Sequence, residues 1–244
     1  MESYSDLIAE RRAEIVERID AALARAGRAD EQVTLVAVSK TVGVDEVVAA
    51  LGAGYRVFGE NRPQELVRKL EGLAQMGDVS AYRFDMIGNL QTNKINTVLG
   101  RVALIHSIGS AHLADAVSSR AERRIAEGSL AAPAHVLLEV NVSGEASKSG
   151  FAPDEVRACM PHLMELSGIH IDGLMTMAPR GDKDAARRTF SGLRELRDEL
   201  RERWGLELPE LSCGMSEDFE IALEEGSTIV RLGRVVFNPS FALQ

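Results

Sequence analysis

The sequence predicts an α/β fold, a single (β/α)8 TIM barrel with an extra N-terminal helix, on three observations. Short apolar runs alternate with amphipathic helical stretches about eight times along the chain, and such alternation implies parallel strands joined by helices. The length of 244 residues is close to the roughly 250 of one such barrel. No Pro/Ser-rich linker, low-complexity run or sequence repeat interrupts it, so one domain over 1–244 is expected. Short, evenly spaced strands favour a closed barrel over an open doubly wound sheet.

Over residues 5–26, Leu7, Ile8, Ile15, Ile19 and Leu23 recur at helical spacing among charged residues, and Gly27 ends this extra helix. Residues 33–39 form a β-branched, almost wholly apolar run, as in a strand buried on both faces. A helix over 45–53 and a strand over 56–59 come next. Pro63 then stands in the first turn of a helix that reaches residue 76. Strands are predicted at 84–88 and 102–107, each followed by a helical stretch, and the apolar run at 135–142 is the clearest later strand. A helix over 153–167, a strand over 169–175 and a helix over 184–204 follow. The pattern closes with strand 210–213, helix 217–225 and strand 228–232.

Composition excludes several classes of function. Hydrophobic content of 45% is ordinary for a well-cored domain, and the formal charge of −9 argues against a nucleic-acid partner, which calls for a basic face. Cys159 and Cys213 form no CxxC pair, so a reduced, cytoplasmic setting is expected, without a zinc or disulfide framework. The start, Met1-Glu2-Ser3-Tyr4-Ser5-Asp6, lacks the basic and apolar regions of a signal peptide, and no run is long enough for a membrane span. The five histidines, His106, His112, His135, His162 and His170, are dispersed without metal spacing, so no metal is expected.

In such barrels, functional side chains sit at the C-terminal ends of the strands and in the loops that follow. Lys40, directly after the first strand, is the informative residue there. A lysine at the barrel mouth, desolvated and near other cations, becomes a neutral amine that attacks an aldehyde to form a Schiff base; the bland alternative is a stem that snorkels to solvent. The loops after strands seven and eight commonly make the phosphate site of this fold. Here they read Gly214-Met215-Ser216 and Gly233-Arg234, and Ser216 is placed to cap a helix beginning at Glu217. Plain turn chemistry would also account for either glycine. A strand-end lysine facing two glycine-containing loops is harder to ascribe to accident.

These segments resemble the pyridoxal phosphate homeostasis proteins, short PLP-binding barrels related to the N-terminal domain of alanine racemase (fold type III). The motifs that match are Val36-Ala37-Val38-Ser39-Lys40-Thr41, Phe58-Gly59-Glu60-Asn61, Val140-Asn141-Val142-Ser143-Gly144-Glu145, Ser147-Lys148-Ser149-Gly150-Phe151, Gly173-Leu174-Met175-Thr176, Gly214-Met215-Ser216-Glu217-Asp218-Phe219 and Val230-Arg231-Leu232-Gly233. The resemblance implies pyridoxal 5′-phosphate (PLP) as cofactor, Lys40 as the Schiff-base lysine, Asn61 near the ring and imine, and Met175 packed beside the cofactor. It also implies that Met215, Ser216 and the backbone of Gly233 and Arg234 surround the phosphate, while Arg231 faces the pyridine nitrogen and keeps it unprotonated. The family usually has threonine where this chain has Arg234, and glycine where it has Asn238.

The resemblance further implies a monomeric carrier or buffer of PLP that serves PLP-dependent apoenzymes, with neither membrane nor nucleic acid as partner. The rival reading is a PLP-dependent racemase, which needs an acid/base on each face of the substrate carbon. Racemases resembling this barrel take the second one, a tyrosine, from a further domain. The chain ends soon after strand eight, so that domain is expected to be absent, and Tyr4, Tyr55 and Tyr82 are not placed to replace it. A Schiff-base aldolase holding a sugar phosphate would use the same lysine and loops.

Overall fold

The computed structural model describes residues 3–76, 81–145 and 148–241. Met1, Glu2 and Ser147 from the sequence motifs above lie outside the described residues. Eight parallel strands close into a barrel in chain order. They are β1 (Thr34–Val38), β2 (Val57–Glu60), β3 (Arg83–Met86), β4 (Leu104–Ile108), β5 (Ala134–Glu139), β6 (Ile169–Met175), β7 (Glu210–Ser212) and β8 (Ile229–Leu232). The seam between β1 and β8 pairs Val36 with Arg231 and Ala37 with Leu232.

Helix α1 (Tyr4–Arg25) precedes the barrel and starts at a capping box, in which Ser3 Oγ accepts from the Asp6 N–H while the Asp6 carboxylate accepts from the Ser3 N–H. The outer layer continues with α2 (Val44–Gly52), α3 (Pro63–Ala74), α4 (Ile95–Val98), α5 (Ala111–Ala126), α6 (Pro153–Leu163), α7 (Lys183–Trp204), α8 (Phe219–Glu224) and α9 (Arg234–Phe237). The apolar stripe of α1, with Ile8, Ile15, Ile19 and Leu23, shares one buried cluster with Leu51, Phe58, Leu223 and Phe237. Ion pairs from Arg18 and Arg25 to Glu220 also fasten α1 to α8. No helix among the described residues is long and apolar enough to cross a membrane.

Period-two alternation assigns each strand residue to one side of the wall. Val36, Val38, Leu104, Leu137, Met175 and Ile229 form the cluster inside the barrel. Residues of the same parity, including Gly59, Asp85, His106, Glu139 and Arg231, therefore face the axis, and Lys40 stands in the turn just beyond the end of β1. The other parity packs under the helices.

Several predicted elements differ from the structure; the helix expected over 153–167, for one, ends at Leu163. The strand expected over 135–142 stops at Glu139: Val140 makes an isolated bridge to Phe151, and Asn141 Oδ1 accepts from the Gly144 N–H at 3.1 Å. An alternating pattern hid this side-chain-built turn. The helical stretch expected after β3 is only a 3-10 turn, Thr92–Lys94, followed by α4. The helix expected to begin at Glu217 begins at Phe219.

Candidate functional site

At the C-terminal ends of β1 and β2 the chain carries Ser39-Lys40 and Glu60-Asn61. Lys40 is exposed, which corrects the expectation of a desolvated amine, and no hydrogen bond or ion pair to it is found among the described residues. What lies beneath it is a buried polar knot that sequence reasoning missed. Lys69 of α3 is fully buried, and its ammonium donates to Ser39 O at 2.5 Å and to the Glu60 carboxylate. Ser39 Oγ donates to the same carboxylate oxygen at 2.7 Å, and the Asn61 N–H donates to the other at 3.3 Å. One buried ion pair thus fixes the backbone that presents both Lys40 and Asn61.

On the other side of β1, the loops after β7 and β8 are joined. Gly214 has φ of +92°, and a Cβ there would lie 2.6 Å from Ala222 Cβ, so only glycine fits. Ser216 does not cap α8, as the sequence predicted. Its Oγ accepts instead from the Val235 N–H at 3.3 Å, in the first turn of α9, while Asp218 Oδ1 accepts from the Met215 N–H at 2.6 Å. Gly233 lies against the end of β1, where a Cβ would sit 3.3 Å from Val38 O. The loop after β8 and Lys40 therefore stand on adjacent strands. Met175 is buried in the cluster inside the barrel, beside Val38.

The Arg234 side chain turns outward: it pairs with Glu217 at 2.8 Å and lies over the Phe241 ring at 5.1 Å. Only its backbone remains as a contributor to the mouth. This is the arrangement that the change from the family's threonine put at issue.

Arg231 is the central residue of the mouth. It is 5% exposed, and it donates through Nη1 to Ser212 O at 2.7 Å and Ser212 Oγ at 2.6 Å, and through Nη2 to Thr176 O at 3.0 Å. Every one of these acceptors is neutral. No carboxylate of the described residues lies within ion-pair distance, although buried charges are ordinarily paired. Desolvation pushes its pKa down, but a guanidinium still stays charged.

Below Arg231, His106 continues the network, with Nδ1 2.9 Å from Ser212 Oγ and Nε2 3.4 Å from Asp85 Oδ2. Both His106 and Asp85 are fully buried. Burial holds the His106 imidazole below its ordinary pKa, more than Asp85 raises it. The unfolded chain therefore takes up this proton at a higher pH than the folded protein. The stability owed to neutral His106 is complete above about pH 6.5 and is lost as pH falls below it. Urea denaturation between pH 7.5 and 5 should show wild type losing up to about 1.4 kcal/mol per pH unit more than His106→Asn. Equal slopes would mean that His106 does not titrate with folding. Glu139, at the inward end of β5, was likewise missed; burial raises its pKa while the nearby Arg231 lowers it.

Residues 12–240 match the family described as alanine racemase, N-terminal domain. The pyridoxal phosphate homeostasis protein of Aquifex aeolicus is 40% identical over 230 residues, covering 93% of this chain and 96% of that one. The crystal structure of an unknown protein from Bifidobacterium adolescentis superposes with a TM-score of 0.87 at 40% identity, covering 97% of both chains. PipY of Synechococcus elongatus PCC7942, solved with PLP bound, superposes with a TM-score of 0.80 at 32% identity, covering 95% of this chain and all of that one. With its closed barrel and these matches over nearly its whole length, the chain belongs to the alanine racemase N-terminal domain family and, within it, to the pyridoxal phosphate homeostasis proteins.

Proposed function

We propose that the chain is one PLP-binding barrel domain, 1–244, that holds the cofactor through a Schiff base to Lys40 and carries or buffers it without strong catalytic activity. The observation that carries this reading is the buried Arg231 guanidinium, which has neutral oxygens on one side and no carboxylate partner among the described residues. A pyridine nitrogen is a neutral acceptor suited to that donor. PLP bound to PipY and the name of the curated relatives support the same ligand.

When bound, the group supplies an aldehyde with which a neutral amine condenses, releasing water. The chain's own residues do the rest. Lys40 offers the amine from a strand end fixed by Ser39, Glu60 and Lys69. Arg231 would donate toward the ring nitrogen and, being permanently charged, would keep a proton off it. Ser216, with Met215 beside it, and the N–H groups at Gly233 and Arg234 would receive the phosphate at the joined loops. Asn61 and Met175 would flank the ring.

A carrier is preferred to a racemase because no tyrosine among the described residues is free to stand opposite Lys40. Tyr55 is buried beside Arg12 of α1, Tyr82 stacks edge-on against Phe84, and the Tyr4 hydroxyl donates to Phe237 O. The two free cysteines suit a cytoplasmic setting, PLP-dependent apoenzymes are the proposed recipients, and the monomer is the proposed form. Mass spectrometry after borohydride reduction of the PLP-loaded protein should find the modification on Lys40. Sustained racemase turnover by the pure protein, abolished in Lys40→Ala, would refute the carrier reading.

The outward Arg234 side chain gives a second expected result. Arg234→Thr gives up an exposed ion pair of little worth and places a hydroxyl in the first turn of α9. PLP should bind roughly tenfold more tightly, the worth of one hydrogen bond to a charged group, in an absorbance titration. Unchanged or weaker binding would show that the phosphate does not sit there.

A further inference from the structure

We propose that His135, His170 and Asp172 form a binding site for one divalent transition-metal ion, with zinc(II) as the reference ion, at the end of the barrel opposite Lys40. The site is built by the strands. His135 and His170 are the second residues of β5 and β6 and are direct partners in the ladder. Parity with Leu137 turns His135 toward the barrel axis, and the register turns His170 with it.

Asp172 joins them through an irregularity. The ladder pairs Val136 with Ile171 and then Leu137 with Gly173, so Asp172 is an extra residue on β6. A bulge of this kind re-aims a side chain. Here the Asp172 carboxylate meets His135 Nδ1 at 2.8 Å through one oxygen and His170 Nδ1 at 2.7 Å through the other. The imidazole centroids are 5.2 Å apart. One ligand atom from each residue lies within 4.8 Å of the other two.

Two imidazoles and one carboxylate, with an open side for water, match the donor set and number of a three-ligand zinc site. Imidazole selects zinc, copper or nickel over magnesium or calcium, which prefer all-oxygen sets. Modest rotations of the two histidines, whose side chains are 54% and 65% exposed, bring three donors to the roughly 2.0–2.2 Å that zinc requires. Each neutral imidazole then carries its proton on Nε2 and gives the Nδ1 lone pair to the metal, so no redox partner or leaving group is involved. An ion so held would fasten β5 to β6 where both strands begin. As an ordinary exposed ion pair, the same cluster would add little.

The test is a calorimetric zinc(II) titration of the full chain without a polyhistidine tag, together with cobalt(II) absorption spectra. One ion per chain should bind, with cobalt d–d bands and a thermal midpoint that rises with zinc concentration. His170→Ala and Asp172→Asn should each weaken binding by more than about tenfold, and Cys159→Ser and Lys40→Ala should leave it intact. Because His170 is exposed, His170→Ala should melt like wild type without metal. The proposal fails if no binding occurs up to about 1 mM, a value weaker than any useful site. It fails equally if the His170→Ala, Asp172→Asn double variant still binds one ion as wild type does. Retention in Lys40→Ala keeps this result independent of the cofactor reading.

Discussion

Lys40→Ala is expected to abolish the absorption band near about 420 nm that PLP acquires on condensing with a lysine amine, and to leave no borohydride-stable adduct. The fold should survive, because Lys40 is exposed and holds no partner among the described residues. Arg231, Ser216 and the joined loops remain, so weak, non-covalent retention of the cofactor should persist. The equilibrium affinity should fall by about two orders of magnitude, equivalent to roughly 2.7 kcal/mol. Two outcomes are decisive against the reading: an adduct of wild-type yield at another lysine, or a band that survives in the variant. Lys40→Arg, tested in parallel, retains charge and size but not the chemistry, and should behave like the alanine variant.

The second large effect is expected one layer down, at Lys69. Its ammonium and the Glu60 carboxylate are both fully buried and directly paired. Removing one member of a buried pair leaves the other uncompensated, at a cost of about 3–5 kcal/mol. For a chain of this size that is roughly 6 to 20 °C in Tm. Lys69→Met should lose this much in urea denaturation, and Lys69→Met with Glu60→Gln should recover a large part, since no charge is then stranded. A double variant no better than the single one would mean that packing around the methylene stem, and not the ion pair, sets the cost. Because the same ammonium holds Ser39 O, the single variant should also load PLP less tightly than its residual stability alone would imply.

The barrel itself was readable in advance. Runs such as Val36 to Val38 and Val136 to Leu138 are apolar because the strands are buried on both faces, and helix periodicity is equally direct. Lys40 stood out because a charge ends an apolar run. Side chains whose roles depend on a distant partner were not readable in the same way. Lys69 looks like any basic residue on an amphipathic helix, and only the fold reveals Glu60 beside it. His106, Asp85 and Ser212 come from three strands, and nothing local in the chain relates them. Ser216 was expected to cap the nearest helix, but the bend at Gly214 hands its hydroxyl to α9 instead. His135 and His170 are far apart in sequence and become neighbours only through β-ladder register.

The openness of Lys40 has a kinetic corollary. An amine that faces bulk solvent forms a linkage that water and competing amines can reach, so residence time is governed by hydrolysis and exchange and no closing segment need move first. Release of the cofactor should therefore quicken as free amine is added, whereas a sealed mouth would make the departure rate indifferent to it.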